Sequence, residues 1–422
     1  MTDRVRVWIT GIGLVTAAGI GLDAFRVGLR EHTSPVKAID RFDASAFRSR
    51  VAAQVDDFEP ADFMDHRAVR GLDRFSQFAV AAGRLAMIDA DFQPGQPGGV
   101  GPERIGIYLG SALGGVTFAE EQHERYLERG IRSVSPTLAL AVFGGAAPAN
   151  LGIALGIRGP ILSTANSCAS GAVALGEALD AIRAGKIDAA VAGGVECPLS
   201  PLAFGAFDVI RALADGHNDQ PEQACRPFDE HRSGFVLGEG AALLVLEEAE
   251  AARRRGATPY AELRGYGSTT DAFHMVQPRP DGTDAARSVQ IALADGGDQA
   301  GAIDYVNAHA SSTPLGDAAE SVALALALGG HAAEVPVSGT KAFTGHPLGA
   351  TAAIEAAVAA LAIAHEWAPP SLNLVTPDPE IGERLPGLIR DPAGLSGRFE
   401  RVLSTSFGFG GLNSALVLGA PA

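Results

Sequence analysis

The stretch GPILSTANSCASGAVALGEALDAIRAG, residues 159–185, predicts the end of a strand, a tight turn of small residues and then a helix. Cys168 lies at the turn, and the helix carries so little charge that we expect it to be buried. At a helix N-terminus, unpaired N–H groups and the helix dipole lower the pKa of a thiol. Cys168 is therefore a candidate nucleophile, and a buried structural cysteine is the alternative. The apolar residues at roughly helical spacing are Val173, Leu175, Leu179 and Ile182.

The composition limits the class of protein. The chain has 422 residues, of which 47% are hydrophobic, so it is long enough for two domains or one large duplicated fold. Its formal net charge of −16 disfavours a nucleic-acid binder. An acidic partner would need a local basic patch. The three cysteines form no CxxC pair, which disfavours a metal site, and their sparse, odd number indicates a reducing cytoplasm.

Neither a signal peptide nor a membrane span is predicted. The N-terminal residues 1–13 lack an apolar run of signal-peptide length and instead predict a strand over residues 5–10 that ends at Gly11 and Gly13. Thr16 occupies the third glycine position of a dinucleotide-binding fingerprint, so a plain strand-to-helix turn is the better interpretation. The most apolar helical run, residues 350–364, is interrupted by Glu355 and is too short to cross a bilayer.

Strands and helices alternate along the chain, which predicts an α/β fold. A composition shift at residues 253–258 places the boundary between an N-terminal half, residues 1–255, and a C-terminal half, residues 256–422. The matched element order indicates duplication of an α/β unit. The elements predicted in the first half are a buried strand entering a glycine-rich loop at 105–115, strands at 187–194, 235–236 and 241–246 and a charged helix at 247–255. The second half again alternates strands and helices, at residues 261–266, 285–293, 303–308, 317–328, 335–338, 349–365, 402–406 and 415–418.

Two histidines occupy strand-to-loop junctions, where α/β folds tend to place functional residues. His309 lies in VNAHASSTPLGD and His346 in SGTKAFTGHPLGA. Lys341 and Glu320 are close to them in sequence and could form an ion pair that orients the site, although an ordinary surface pair is the alternative. A cysteine with two histidines is compatible with covalent acyl transfer. It fits a cysteine protease poorly, because one histidine would suffice there.

Two further segments carry candidate functions. The segment SFGFGGLNSALVL predicts two strands joined by a glycine loop, in which Phe409 could swing and a backbone N–H could face an oxyanion. Arg67, Arg70 and Arg74 lie at helical spacing and predict one basic face. That face is either a solvated surface or a docking surface for an acidic partner.

Five motifs occur in an order that identifies a family resemblance: STANSCASG, RPFDEHRSGFVLGEGA, VNAHASSTPLGD, GTKAFTGHPLGA and SFGFGGLN. In this order, and over almost the whole chain, they resemble the elongating β-ketoacyl-[acyl carrier protein] synthases of type II fatty acid synthesis and the ketosynthases of type II polyketide pathways. The resemblance implies a thiolase-like α/β fold of two similar halves in stacked αβαβα layers, usually dimeric.

The same resemblance implies an activity and its catalytic residues. Cys168 matches the nucleophile that takes the acyl chain, and His309 and His346 match the pair that assists decarboxylation of malonyl-[acyl carrier protein]. Lys341 matches the supporting lysine, and Glu320 the acidic residue beside it. The expected reaction is a decarboxylative Claisen condensation that gives a 3-oxoacyl chain. It needs no metal and no dissociable cofactor, since the 4'-phosphopantetheine is carried by the acyl carrier protein.

Other matched positions concern substrate and partner. The backbone N–H groups of Cys168 and Phe409 match the oxyanion hole, and Phe409 also matches the gating phenylalanine. The positions that match pantetheine contacts or the acyl pocket are Ser311, Thr313, Leu113 and Phe207. The positions that match the basic patch for the carrier protein are Arg67, Arg70 and Arg211. A homodimer and a heterodimer with a related subunit are both compatible with the sequence.

Three departures from the family pattern bear on substrate rather than on acid–base groups. Ala310-Ser311 replaces Gly-Thr, and Asn166-Ser167 replaces Thr-Ala before the cysteine. Leu412 replaces the threonine of the gating loop and is a candidate substrate-binding residue, since its bulk would change loop movement or chain fit. They leave fatty acid and specialised polyketide or polyene synthesis both open.

Three alternatives are weighed against this function. A thiolase would need a second, late cysteine, whereas the last one here, Cys225, precedes both histidines. A Cys–His–Asn synthase is disfavoured because His346 occupies the position where the asparagine would be sought. A non-catalytic or partner-dependent subunit, similar to a chain-length factor, typically lacks the nucleophile that Cys168 supplies.

Overall fold

A computed structural model describes residues 4–96 and 99–422, and the element bounds below refer to those residues. The strands are β1 (Val7–Thr16), β2 (Gly19–Ile20), β3 (Lys37–Ala38), β4 (Val51–Ala52), β5 (Ile105–Gly110), β6 (Ile161–Thr164), β7 (Ala189–Glu196), β8 (Gly240–Glu248), β9 (Ala261–Thr270), β10 (Tyr305–Ala308), β11 (Val337–Gly339), β12 (Trp367–Ala368), β13 (Leu395–Ser396), β14 (Arg401–Gly408) and β15 (Leu412–Gly419).

The α-helices are α1 (Leu22–Gly28), α2 (His66–Gly71), α3 (Arg74–Asp89), α4 (Val116–Arg129), α5 (Leu138–Ala141), α6 (Ala146–Leu155), α7 (Ser170–Arg183), α8 (Pro201–Val209), α9 (Ala249–Arg254), α10 (Thr283–Gly296), α11 (Pro314–Leu328), α12 (Lys341–Thr344), α13 (Leu348–His365) and α14 (Pro379–Arg384). Short 3₁₀ helices cover Pro60–Asp62, Pro102–Arg104, Ile131–Ser133, Ser167–Ala169, Pro221–Gln223, Ala300–Ala302 and Gly329–Ala333.

The main sheet repeats one strand order twice. Its order is β11-β10-β14-β15-β9 in the C-terminal half, followed by β1-β8-β7-β5-β6 in the N-terminal half. In each half, the five strands of this path can be numbered 1 to 5 in chain order, leaving out the short strands β2–β4, β12 and β13. From the outer edge of the sheet to the junction, each half then has the order 3-2-4-5-1. The pairing directions match as well, since strand 2 is parallel to strands 3 and 4, and strand 5 is antiparallel to strands 4 and 1. The boundary at residue 255 stays a prediction that this repeat supports.

The layers follow from what the helices pack against. Helix α3 covers β1, β7 and β8 on one outer side, and α10 covers β9 and β15 on the other. Helices α7 and α13 lie between the two sets of strands and contact both. Three apolar clusters fill the spaces between these layers. The stacked αβαβα arrangement expected from the family resemblance is therefore confirmed.

Glycines in the first strand of each half allow the outer helix to approach closely. A Cβ atom on Gly13 would lie 1.9 Å from the Ala82 carbonyl oxygen in α3, and one on Gly267 would lie 2.1 Å from the Ser288 carbonyl oxygen in α10. Gly11 makes the same kind of contact with α3. The prediction that β1 ends at the glycines is therefore wrong, because they continue the strand and face the helix.

Several other element boundaries differ from the prediction. The basic stretch is two helices, since α2 ends at Gly71 and α3 begins at Arg74, so Arg67, Arg70 and Arg74 do not share one helix. Asp73 caps α3 by accepting a hydrogen bond from the Ser76 N–H, which starts a new helix at this point. Of residues 235–236, only Phe235 forms an isolated bridge, with Leu213, and residue 247 belongs to β8 rather than to a helix.

Helix α13 is long and apolar enough to cross a membrane by length and composition alone. It has 18 residues, so the prediction that this run is too short is wrong. However, 89% of its apolar window is buried inside the protein, where it packs against β7, β8 and β14. Burial on all sides explains the uniform apolar pattern, and α13 is a core helix.

Replacing Gly13 by Ala is expected to destabilise the protein by about 1–3 kcal/mol, the usual cost of overpacking, because the methyl group would collide with the Ala82 carbonyl. Gly267→Ala should destabilise the protein by a similar amount, because its methyl group would collide with the Ser288 carbonyl oxygen. Gly71→Ala is the matched control, since no atom lies within 4 Å and alanine favours a helix. Equilibrium unfolding in urea measures all three, and unchanged stability of Gly13→Ala would contradict the close packing.

Candidate active site

A cavity of about 360 Å³ brings together most of the residues predicted to be functional. It lies where the N-termini of α7 and α13 meet the loops after β10 and β14. Cys168, His309 and His346 are all buried at its inner end. The other predicted residues that line it are Glu320, Phe409, Ser311, Thr313 and Arg211.

The turn that carries Cys168 is held in one conformation by hydrogen bonds. The Ser167–Ala169 segment is a 3₁₀ turn that leads directly into α7. The Ser170 hydroxyl donates to the Ser167 carbonyl oxygen at 2.7 Å and accepts from the Asn166 N–H at 2.8 Å. Ser167 has a φ of 53°, a conformation that a side chain rarely adopts and that surrounding contacts must maintain. The thiol is therefore pre-positioned rather than free to rotate with a flexible loop.

Cys168 faces a base. The distance from Cys168 Sγ to His346 Nε2 is 3.1 Å, and His346 Nδ1 lies 2.8 Å from Thr351 Oγ1. Burial and the nearby Lys341 charge hold the pKa of His346 well below its ordinary value, so the imidazole is neutral. With its Nδ1–H directed to Thr351, the Nε2 lone pair can take the thiol proton.

Burial decides the resting state of the Cys168 thiol. It raises the pKa of Cys168 to about 12, although the Lys341 charge and a hydrogen bond from the Phe409 N–H oppose the rise. The lowering of the pKa that a helix N-terminus favours is therefore outweighed. Cys168 is a neutral thiol at rest, and proton transfer to His346 has to accompany its attack.

Lys341 fixes the proton on His309. Its ammonium group donates to the His309 carbonyl oxygen, to His309 Nδ1 at 3.2 Å and to Glu355 Oε1 at 2.5 Å. These three acceptors use all three of its N–H bonds. A neutral imidazole whose Nδ1 accepts must carry its hydrogen on Nε2. Burial and the Lys341 charge lower the pKa of His309 well below its ordinary value, so it presents a neutral N–H donor to the cavity.

The predicted ion pair between Lys341 and Glu320 is wrong, because Lys341 pairs with Glu355. Glu320 instead accepts hydrogen bonds from the His309 N–H at 2.8 Å, the Ala310 N–H at 2.6 Å and the Thr405 hydroxyl at 2.7 Å. It therefore holds the backbone on both sides of the first histidine. Burial raises its pKa to about 7, and these hydrogen bonds limit the rise.

Two glutamates that the sequence analysis did not assign to the site support it. Glu355 lies on α13, and burial raises its pKa to about 8 despite the opposing Lys341 charge. A lone acidic residue in an otherwise apolar helix was the available signal. Glu196, at the end of β7, accepts from the N–H groups of Ala112, Leu113 and Gly349. It thereby joins a loop of the N-terminal half to the start of α13.

The glycine loop between β14 and β15 reaches the nucleophile. A Cβ atom on Gly408 would lie 3.0 Å from the Cys168 backbone nitrogen, so glycine is needed for this approach. Phe409 follows it and stacks on Phe207 with ring centroids 6.2 Å apart. The Gly410 N–H donates to the Met275 carbonyl oxygen at 2.8 Å. These contacts place the Phe409 N–H against Sγ and hold its side chain beside an apolar cluster.

The remaining predicted residues lie around this centre rather than in the cavity lining. Leu113 and Phe207 belong to the apolar cluster that includes Cys168. Leu412 starts β15 and pairs with Gly408, so it sits at the base of the glycine loop.

The arginines predicted to contact the carrier protein do not all line the cavity. Arg211 is exposed at the cavity, whereas Arg67 and Arg70 are exposed on α2 and are not among its lining residues. Arg74 pairs with the buried Glu239 at 2.8 Å.

The fold and this geometry define a class of protein. A duplicated αβαβα fold holds a buried thiol against a neutral imidazole, with a second imidazole and an N–H-lined loop beside it. This arrangement can form a covalent thioester, stabilise an oxyanion and assist a second reaction on the bound acyl group.

Comparison with known proteins identifies the family. Residues 4–252 match the N-terminal domain of beta-ketoacyl synthases, and residues 260–375 match their C-terminal domain. A 3-oxoacyl-[acyl-carrier-protein] synthase 2 from Coxiella burnetii is 39% identical over 417 residues, which is 99% of each chain. The chain belongs to the beta-ketoacyl synthase family.

Solved structures agree with this assignment. The ishigamide ketosynthase/chain length factor aligns with a TM-score of 0.91 and 32% identity over 100% of both chains. A type II polyketide ketosynthase in complex with its acyl-carrier protein, AntDE:AntF, aligns with a TM-score of 0.90 and 31% identity over 99% of this chain and 100% of that one.

Alkylation of Cys168 by iodoacetamide is expected to accelerate by about tenfold per pH unit from pH 7 to pH 9, because only the thiolate reacts. The thiol pKa of about 12 lies above this range, so the thiolate fraction keeps rising with pH. Peptide mass spectrometry separates Cys168 from Cys197 and Cys225, and Cys168→Ser is the control. A rate that levels off below pH 8 would indicate a low-pKa thiolate and contradict the structure.

Proposed function

We propose that this chain catalyses the decarboxylative Claisen condensation of an acyl chain on Cys168 with malonyl-[acyl carrier protein]. The products are CO2 and a 3-oxoacyl-[acyl carrier protein] that is two carbons longer than the acyl donor. The observation that carries the proposal is the 3.1 Å contact between Cys168 Sγ and His346 Nε2, next to a second, neutral histidine. A thiol, a base and a separate N–H donor are what the two half-reactions need.

The first half-reaction loads the enzyme. As Sγ attacks the acyl thioester carbonyl, the Cys168 proton moves to His346 Nε2. The carbonyl oxygen becomes an oxyanion that the N–H groups of Cys168 and Phe409 stabilise. When the intermediate collapses, the bond to the pantetheine sulfur breaks, and His346 returns the proton to that sulfur. The acyl group is then on Cys168, and the carrier protein leaves with a free thiol.

The second half-reaction makes the carbon–carbon bond. His309 Nε2–H donates to the malonyl thioester carbonyl, so the electron pair left by departing CO2 is held as an enolate. The enolate carbon attacks the Cys168 thioester, and the carbon–sulfur bond breaks. The Cys168 thiolate takes one proton from solvent, which balances the loss of CO2 from the malonyl carboxylate. The Lys341 ammonium lies beside His309 and stabilises the negative charge during this step.

The partner of this site is an acyl carrier protein. Its 4'-phosphopantetheine arm would enter the cavity past the hydroxyl groups of Ser311 and Thr313, which are 2.8 Å apart and line the wall. The enzyme itself needs no further cofactor. Exposed Arg67, Arg70 and Arg211 supply cations on a chain of net charge −16, so they are the proposed contacts for an acidic carrier protein.

A second subunit is also part of the proposal. Strand β6 is an edge strand, and its residues Ile161 and Leu162 are 45% and 38% exposed. Ile153 and Phe143 extend this apolar surface. An exposed apolar edge strand is a template for pairing with another chain. We propose that β6 forms the dimer interface, with a second copy or with a related ketosynthase-like subunit.

The site is compatible with two pathways. Fatty acid and type II polyketide synthesis use the same chemistry, and Leu412 lies at the loop base, where it would act on loop movement more than on chain fit. We place the protein in the cytoplasm, where its three buried free cysteines would stay reduced.

A panel of acyl-[acyl carrier proteins] is expected to load Cys168, giving an intact mass increased by one acyl group. The adduct should be absent from Cys168→Ala. Adding malonyl-[acyl carrier protein] should discharge the adduct and release a 3-oxoacyl product. His309→Ala should load normally but discharge at least about 100-fold more slowly, since it loses a general acid–base or oxyanion donor. Loading at another residue, or discharge by water alone, would contradict the proposal.

The purified chain is expected to be a dimer by size-exclusion chromatography with light scattering. Leu162→Lys should be a monomer, because a charge on an edge strand blocks pairing. Val375→Lys is the matched control, since Val375 is 73% exposed but lies far along the chain from β6. A wild-type monomer that loads only with a related chain present would favour the partner-dependent alternative.

A further inference from the structure

The reactive groups of the site are also a set of metal-ligand atoms. Cys168, His309 and His346 each offer one ligand atom, and these atoms lie within 4.8 Å of one another. In a tetrahedral zinc site with one thiolate and two imidazoles, ligand atoms are roughly 3.3–3.6 Å apart, given the usual bond lengths. The Sγ–Nε2 distance of 3.1 Å already approaches this value. The fourth coordination position of the metal would face the cavity and stay open.

The groups behind the two histidines decide whether metal can bind. A metal-ligating histidine almost always donates its other ring N–H to a carboxylate, a carbonyl or water. His346 has an equivalent acceptor, since its Nδ1 lies 2.8 Å from the hydroxyl oxygen of Thr351. His309 does not, because its Nδ1 faces the Lys341 ammonium at 3.2 Å. An ammonium has no lone pair with which to accept an N–H bond.

We propose that Cys168, His309 and His346 form a latent site for a soft divalent cation such as Zn²⁺, and that Lys341 keeps this site closed. For His309 to bind metal through Nε2, its proton must move to Nδ1, where it would point at the ammonium. Lys341 also places a positive charge next to the incoming dication. Lys341 is thus a positioning residue that protects the thiol from metals, in addition to supporting His309.

Metal binding in the opened site is a ligand exchange that releases one proton. The metal exchanges water molecules for Sγ and two ring nitrogens, and the Cys168 proton is released to solvent. No electron is transferred, so Co²⁺ can replace Zn²⁺ as a spectroscopic probe. A Co²⁺–thiolate bond gives a charge-transfer absorption in the near ultraviolet. Metal binding by these residues follows from their geometry alone and is independent of the proposed condensation.

Lys341→Gln is the sharpest variant for a test. Its amide oxygen can accept from His309 Nδ1–H, and its amide nitrogen can donate to the His309 carbonyl, so a hydrogen bond to each of these two His309 groups remains while the charge and the ion pair with Glu355 are removed. Titration of the full-length protein with Co²⁺ is expected to give the thiolate band in Lys341→Gln at concentrations about 10–100-fold lower than in the wild type, the usual effect of such a supporting residue.

Controls separate this role from a purely structural one. Cys168→Ser in the Lys341→Gln background should lose the band, and Zn²⁺ should protect Cys168 from alkylation in Lys341→Gln only. If circular dichroism shows that Lys341→Gln is unfolded, Lys341→Met replaces it. Tight Co²⁺–thiolate binding by the wild-type protein overturns the proposal whatever the variants do, and so does a folded variant with no gain in affinity.

Discussion

The close packing of α7 against α13 sets the geometry on which the site depends. A Cβ atom on Gly171 would lie 2.9 Å from the Ala353 nitrogen, and one on Gly194 would lie 2.4 Å from the Gly349 carbonyl oxygen. The two central helices and β7 therefore meet backbone to backbone. Because Cys168 and His346 stand at the N-terminal ends of these helices, the spacing of the helices determines the spacing of thiol and base. Side chains larger than hydrogen at these glycines would separate the pair.

Buried carboxylates then hold the loops that the helices leave open. Glu196 joins the loop after β5 to the start of α13, and Glu320 holds the backbone at the end of β10. Burial raises the pKa of each to about 7, and each keeps several N–H donors that favour the ionised form. Glu196 and Glu320 therefore position the backbone and do not transfer protons. Neutral imidazoles and a neutral thiol remain at the reacting centre, beside the Lys341 ammonium. Negative charge that develops on an oxyanion or enolate there meets a fixed cation and fixed N–H dipoles, which is the condition for strong electrostatic stabilisation.

The sequence indicated Cys168, His309 and His346 as candidates for one site because each follows a strand at a turn of small residues, a local pattern that the chain displays directly, and the structure places all three in one cavity. The partner of Lys341 could not be predicted in the same way. Glu320 and Glu355 are both acidic and both close in sequence, and only the packing of α13 decides which carboxylate reaches the ammonium. The resting state of the Cys168 thiol could not be predicted for a related reason. A helix N-terminus is visible in a sequence, whereas the full burial that outweighs it depends on the assembled layers.

The duplication was predicted from element order, yet a direct sequence signal existed. Gly11 and Gly13 in β1 correspond to Gly265 and Gly267 in β9, and both pairs face the backbone of an outer helix.

Because the two halves repeat one strand order, they place different residues at equivalent positions around the cavity. In each half, the third strand leads to a central helix whose N-terminus faces the cavity, and the N-terminal half places Cys168 there while the C-terminal half places His346. The loop after the second strand carries His309 in one half and the anchor for Glu196 in the other. Two copies of one scaffold thus present the proposed nucleophile and its proposed base to each other at equivalent points. An approximate two-fold relation of this kind explains how residues 178 positions apart in sequence come within hydrogen-bond distance.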